Sequence, residues 1–186
     1  MKVCIIGTGD AGTIAAFRIR RLDSNAQIDI FSKRMELGIP PCEMPLVLSG
    51  AITKWEELFR GFRGNTSAYE KRNINVRLNT EVTDIIRQEK CNSAYPEGSS
   101  YDKAILSLGA IPTVPPIPGL DGRNEFTLST DIADGRKLGE VIPKYASAAI
   151  VGGGFIALEV AAALRARGYS QVYALVRRDI LRAYLD

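Results

Sequence analysis

The residue types and spacings that could do chemistry here are two glycine-rich loops and one cysteine. The first loop is Gly7-Thr8-Gly9-Asp10-Ala11-Gly12, and the second is Gly152-Gly153-Gly154-Phe155-Ile156-Ala157. Each follows a short apolar run, Lys2 to Ile6 and Ala148 to Val151. Each leads into a stretch of helical composition, Gly12 to Leu22 and Phe155 to Arg167. Strand, glycine turn and helix in that order hold a dinucleotide. The first glycine makes the tight turn, the second lets the backbone approach a pyrophosphate, and the third packs helix on strand. Ala157 at the third place of the second loop is a permitted variant. The helix N-terminus then offers unpaired N–H groups and its positive dipole end to the phosphates. Glycines can serve turns alone, but strand and helix flank both loops. Two such loops imply two nucleotides, and the obvious use of the pair is electron transfer between a nicotinamide and a flavin.

An acid about 20 residues beyond such a loop binds the ribose 2′-hydroxyl. In the first unit the strand Ile28 to Phe31 is followed by Ser32, then Lys33 and Arg34. A serine can bond a hydroxyl, without the strength of a charged partner. In the second unit the strand Val172 to Val176 is followed by Arg177 and Arg178. An arginine suits a 2′-phosphate, so the second site leans to NADP over NAD. The alternative for the arginine pair is a solvated strand end.

Cys42 lies in Gly38-Ile39-Pro40-Pro41-Cys42-Glu43-Met44-Pro45, just after the second strand of the first unit. Ligands of open α/β sheets bind beyond the carboxyl ends of strands, which is where this cysteine falls. A thiolate there could attack a disulfide, or cycle through a sulfenic acid. The other reading is a small buried hydrophobe in a proline-rich loop. Cys4 belongs to a core strand and is expected to be packing. Cys91 falls in a polar stretch, with no evident role.

These groups need a scaffold of α/β type. A hydrophobic fraction of 46% with 24% charged residues describes an ordinary globular chain. A net charge of +3 does not argue for nucleic acid, and no apolar run reaches the length of a membrane span. Three scattered cysteines make no disulfide framework, so a reducing cytoplasm is expected. The absence of histidine excludes Ser-His and Cys-His pairs and makes a zinc site improbable. Gly38 to Gly50, with three prolines, reads as irregular. Thr53 to Arg60 reads as a helix with Thr53 as N-cap and Glu56 in the capping-box place. Ile74 to Leu78 alternates as a strand, and Val82 to Glu89 opens a small antiparallel meander turning near residues 96–98. Lys103 to Gly109 reads as a buried strand. Residues 112–119, with four prolines, form an extended connector. The second unit has only two strands where a mononucleotide-binding half needs three. Its open edge invites pairing with another copy, a homo-oligomer.

The ordered set resembles the flavin-dependent pyridine nucleotide–disulfide oxidoreductases. The likeness is to their single-cysteine branch of coenzyme A disulfide reductase, NADH oxidase and NADH peroxidase. Ile6 to Gly12 through Arg20-Arg21-Leu22-Asp23 is similar to the branch's flavin loop and helix end. Phe31-Ser32-Lys33 is similar to its Phe-Glu-Lys with the acid lost. Cys42-Glu43-Met44-Pro45 is similar to its redox-active Cys-x-Leu-Pro. Tyr101-Asp102-Lys103 with Leu106 to Ala110 is similar to its second flavin-contact strand, and Val151 to Glu159 to its nicotinamide loop.

The resemblance implies that NAD(P)H reduces FAD, and that FAD reduces a disulfide or sulfenate at Cys42, or oxygen. Gly7, Gly9, Gly12, Ser32, Lys33, Val82 and Gly109 would then hold FAD. Gly152, Gly154, Ala157, Glu159 and Arg177 would hold the nicotinamide dinucleotide, with NADPH favoured. Arg21, with Arg18 one turn away, would meet the substrate: a small-molecule disulfide, a peroxide or oxygen, with no nucleic acid or membrane partner. The implied domains are an FAD-binding domain over 1–112 lacking its late returning strand, a connector over 113–120, and the start of an NAD(P)-binding domain over 121–186. Ser32, Pro41 and Gly38 depart from the branch pattern of glutamate, asparagine and serine, and the last two weaken coenzyme A as the substrate. The chain stops before the family's later flavin motif and dimerisation domain. For this length alone, weak FAD binding and slow turnover are expected, or a nucleotide-binding relative without catalysis.

Overall fold

The computed structural model describes residues 1–38, 40–88, 91–94 and 99–181. The chain divides into two compact units, 1–40 with 59–110 and 41–58 with 111–186. Residues 41–58, which carry Cys42, thus group with the second unit although they lie within the stretch 1–112.

In the first unit β1 (Lys2–Ile6) leads through the first loop into α1 (Asp10–Leu22), which returns the chain to β2 (Gln27–Phe31). Strands β3 (Ile74–Arg77) and β7 (Lys103–Leu106) complete a parallel sheet of order β3-β2-β1-β7. The apolar run of β1 is buried on both faces, as parallel strands require. Period-two alternation sends Val3 and Ile5 into one core with Ala16 of α1, Ile28 and Ile30, while Cys4 and Ile6 join Phe31 and Tyr101 in another. The expected meander forms as β4 (Ile85–Gln88), β5 (Cys91–Ala94) and β6 (Ser99–Tyr101), all antiparallel. Its turn near 96–98 lies outside the described residues. Val82 precedes β4 and packs on the Phe31 cluster. A short helix, α3 (Ser67–Glu70), sets Tyr69 against Thr13 at 2.9 Å between hydroxyls.

In the second unit α2 (Met44–Ser49) and α4 (Ile132–Val141) accompany β8 (Ser147–Val151), α5 (Phe155–Ala166) and β9 (Gln171–Leu175). The two strands pair in parallel. The core joins Leu48, Ile142, Val160, Ala163, Leu164 and Tyr169. The other face is bare, for Val151, Tyr173 and Leu175 are each more than half exposed.

Three expectations are corrected and one helix was not foreseen. Residues 44–49 form a helix, because a proline is tolerated in a first turn and Pro45 stands there. Gly50, at φ 86°, ends it in the left-handed conformation. Thr53 to Arg60 yields only a 3₁₀ turn at Trp55–Leu58, and Glu57, not Glu56, accepts from the Thr53 hydroxyl and the Lys54 amide. Among the described residues β7 lies at the edge of its sheet with Leu106 exposed, where a buried strand was expected. α4 has no counterpart in the sequence reading, although Asp131 caps it by accepting from the Ala133 amide at 3.0 Å.

Candidate functional site: two dinucleotide loops and an exposed cysteine

The first loop is pinned from two sides. The Gly7 amide donates to the Phe31 carbonyl of β2 at 2.8 Å, and the Ser107 hydroxyl, just past β7, donates to the Ile6 and Gly7 carbonyls at 2.9 and 3.2 Å. Gly7 has φ +114°, and a Cβ there would overlap the Ser107 carbonyl oxygen. A Cβ on Gly12 would overlap the Gly7 carbonyl oxygen and lie 2.6 Å from the Ser107 hydroxyl. A Cβ at Gly9 would meet nothing within 4 Å. The outer two glycines thus permit close packing within the protein, and the middle one faces open space where a diphosphate could approach. Gly9 is the N-cap of α1, and no side chain caps that helix.

Ser32 directly follows β2 and is buried. Its Oγ accepts from the Thr8 hydroxyl at 3.1 Å and from the Arg34 amide at 3.2 Å. With both accepting positions used, its O–H is the group that can meet a ribose oxygen. Lys33 is exposed and faces Glu81 at 3.6 Å. Gly109 is exposed with φ 73°. Arg18 and Arg21 are both exposed on α1, three residues apart. Arg20, between them, is structural: it donates to the carbonyls of Arg72, Asn73 and Ser24. All of these residues belong to the first unit.

The second loop repeats the plan more loosely. Gly152, at φ +130°, donates to the Leu175 carbonyl at 3.0 Å, and a Cβ there would meet only the Ala157 Cβ, at 4.0 Å. Gly154 caps α5 and, like Gly9, has nothing within 4 Å of a built Cβ. Glu159 and Arg177 are exposed, the arginine just after β9.

Cys42 is exposed, which removes the reading of it as a buried hydrophobe. It sits in the 3₁₀ turn Pro41–Glu43 leading into α2. α2 packs on α5, the helix that starts at the second loop. The Arg167 guanidinium closes the end of α2 by donating to the Leu48 and Val47 carbonyls at 2.7 and 3.2 Å. Neither α2 nor Arg167 was legible as part of the cysteine's support, since residues 38–50 read as irregular. Cys4 is buried, with its pKa raised to about 11 by desolvation first and the charge of Asp29 second, so it is inert packing. Among the described residues no group of carboxylates and cysteines could hold a metal ion, and no helix is long and apolar enough to cross a membrane.

Residues 1–186 match the protein family described as Pyridine nucleotide-disulphide oxidoreductase. The chain is 31% identical to an NADH oxidase of Methanocaldococcus jannaschii, covering 100% of this chain and 42% of that protein. It is 33% identical to an NAD(P)H sulfur oxidoreductase (CoA-dependent) of Pyrococcus abyssi, covering 99% of this chain and 41% of that one. Among solved structures, a NAD-dependent persulfide reductase from A. fulgidus superposes with a TM-score of 0.87 at 31% identity, over 100% of this chain and 36% of the other. An engineered water-forming NADPH oxidase bound to NADPH superposes with a TM-score of 0.85 at 26% identity, over 100% of this chain and 42% of the other. The chain therefore spans less than half the length of these relatives.

Proposed function

Because the chain belongs to the pyridine nucleotide-disulphide oxidoreductase family, we propose that its two loops and Cys42 are those of an FAD-dependent NAD(P)H oxidoreductase acting on sulfur or oxygen. The observation that carries this reading is the shared geometry of the loops. Each turns on a glycine in a positive-φ conformation, Gly7 at +114° and Gly152 at +130°, and each leaves its second glycine facing open space. The first loop fits FAD: Gly7, Gly9 and Gly12 would hold the diphosphate, Ser32 would donate to the ribose with Lys33 beside it, and Val82 and Gly109 would contribute backbone. Gly152, Gly154, Ala157 and Glu159 would hold the nicotinamide dinucleotide. When bound, FAD supplies an acceptor for the nicotinamide hydride and an electron donor to sulfur or oxygen.

Cys42 would carry the sulfur being reduced. Two electrons and one proton turn a mixed disulfide on Cys42 into its thiolate and a released thiol, or a sulfenic acid into the thiolate and water. Residues 1–186 contain no histidine to supply that proton. Arg18 and Arg21 would receive a phosphate-bearing substrate, in keeping with the CoA dependence of the Pyrococcus relative. Arg177 and Arg178, with no acid at that place, favour NADPH. The engineered NADPH oxidase supports this preference, for its substitutions remove an aspartate and introduce two arginines.

The test is an absorbance spectrum of the chain with FAD, then with NADPH. A bound-flavin spectrum that bleaches with NADPH faster than with NADH is expected, and Cys42→Ser should abolish turnover of a disulfide. If reconstitution yields no bound flavin, the reading fails. The reading that then stands is a nucleotide-binding relative without catalysis.

A further inference from the structure

The first loop carries an acid in an awkward place. Asp10 is the first residue of α1, in the stretch between Gly9 and Gly12 where a diphosphate would lie. A carboxylate at a helix N-terminus is favourable by itself, because the dipole end is positive. The same dipole end must hold two phosphate charges when a dinucleotide binds, and the carboxylate then repels the ligand. Arg63 answers that conflict. Its guanidinium donates to both Asp10 carboxylate oxygens, at 3.2 and 3.4 Å. The arginine is mostly covered and the acid about half exposed, with side-chain exposures of 22% and 47%. The guanidinium also lies over the Phe62 ring, 5.2 Å from its centroid. Gly38 makes room for it: a Cβ there would lie 3.0 Å from the Arg63 Cγ and 3.4 Å from its Cα. All four residues belong to the first unit.

From this pairing we infer that Arg63 is a positioning residue for cofactor binding at the first loop, neutralising Asp10 and holding its carboxylate so that the helix N-terminus accepts a diphosphate. The inference rests on the first loop's being an FAD site. It gives Gly38 a role as the gap that seats Arg63.

The test is a double-mutant cycle read by FAD titration of the full chain, following flavin fluorescence at low salt. Arg63→Gln should weaken FAD about tenfold, the size of one uncompensated charge beside a phosphate. Asp10→Asn should bind FAD at least as well as the unsubstituted chain. Adding Arg63→Gln to Asp10→Asn should change affinity less than about twofold, since the charge to be neutralised is gone. Arg63→Lys should recover part of the loss, a rescue that a purely steric role for the arginine would not give. An equal loss from Arg63→Gln in both backgrounds, or no loss in either, overturns the inference. Should Arg63→Gln not fold, Asp10→Asn decides: a tenfold loss of FAD affinity there makes Asp10 a ligand and overturns it as well. An unsubstituted chain that takes up no FAD overturns the flavin reading itself, and this inference with it.

Discussion

The two loops share a sequence plan and differ in how tightly the described residues close around them. In the first, Ser107 from the end of β7 bonds the Ile6 and Gly7 carbonyls and leaves no space for a Cβ on Gly7 or Gly12. In the second, no such third strand lies beside β8 among the described residues, and a Cβ on Gly152 would touch only Ala157 at 4.0 Å. The first glycine of the motif thus has two separable duties. One is conformational, a positive φ that both loops need. The other is steric, and it arises only where a neighbouring strand crowds the turn.

The largest effect should come from separating those duties. Gly7→Ala brings both the unfavourable φ and overlap with the Ser107 backbone, and should cost more than about 3 kcal/mol or prevent the first unit from folding. Gly152→Ala brings the φ penalty alone, about 1–2 kcal/mol. Trp55, the only tryptophan, belongs to the second unit, so its fluorescence in urea follows that unit while circular dichroism follows both. Equal losses for the two substitutions would show that β7 does not distinguish the loops.

That contrast also explains what could be read in advance. Both loops, β1, β2, β9 and the meander were legible because apolar runs and glycines at fixed offsets report local geometry. α2 was hidden because Pro41 and Pro45 look like breakers, although Pro45 occupies a first turn where its missing N–H costs nothing. The exposure of β7 was hidden because Ala104, Ile105 and Leu106 read as core, whereas edge position depends on which strands lie beyond it. The Asp10–Arg63 pair joins residues 53 positions apart, and no local pattern encodes it.

Next in size is a pH effect that begins lower in the first unit than in the second. Cys4 pairs in register with Asp29 within the four-stranded sheet, and its thiol pKa is raised from 9.0 to about 11. The unfolded chain loses that proton above pH 9 and the folded chain only near pH 11. Stability present below pH 9 should therefore fall across pH 9–11, by about 2–3 kcal/mol. Urea melts at both ends of that window should show the slope in circular dichroism, and Cys4→Ala should remove its part below about pH 10, where the raised Tyr69 hydroxyl does not yet contribute. The Tyr169 hydroxyl of the second unit is also pushed above its ordinary pKa, by burial first and Tyr145 second, so the Trp55 signal should show a slope that begins only above about pH 10.

Cofactor choice should separate the loops next. Arg177→Ala should weaken NADPH about tenfold, near 1.4 kcal/mol, and leave NADH within about twofold. Isothermal titration with both dinucleotides measures the ratio. A parallel loss for the two would place the arginine on a phosphate they share and end the NADPH preference.

The smallest effect compares the two positions where an acid is missing. Ser32 is buried and its Oγ already accepts from Thr8 and the Arg34 amide, so it is part of the folded loop before any ligand arrives. Arg177 is exposed. Ser32→Ala should therefore destabilise the chain by about 1 kcal/mol, leaving the buried Thr8 hydroxyl without its acceptor. Arg177→Ala should leave the melting temperature unchanged. On the proposed reading, the first loop would have its ribose position built into the fold, and the second would leave its own to the ligand. A Ser32→Ala chain that melts like its parent yet loses FAD affinity would reverse that assignment and make Ser32 a pure ligand contact.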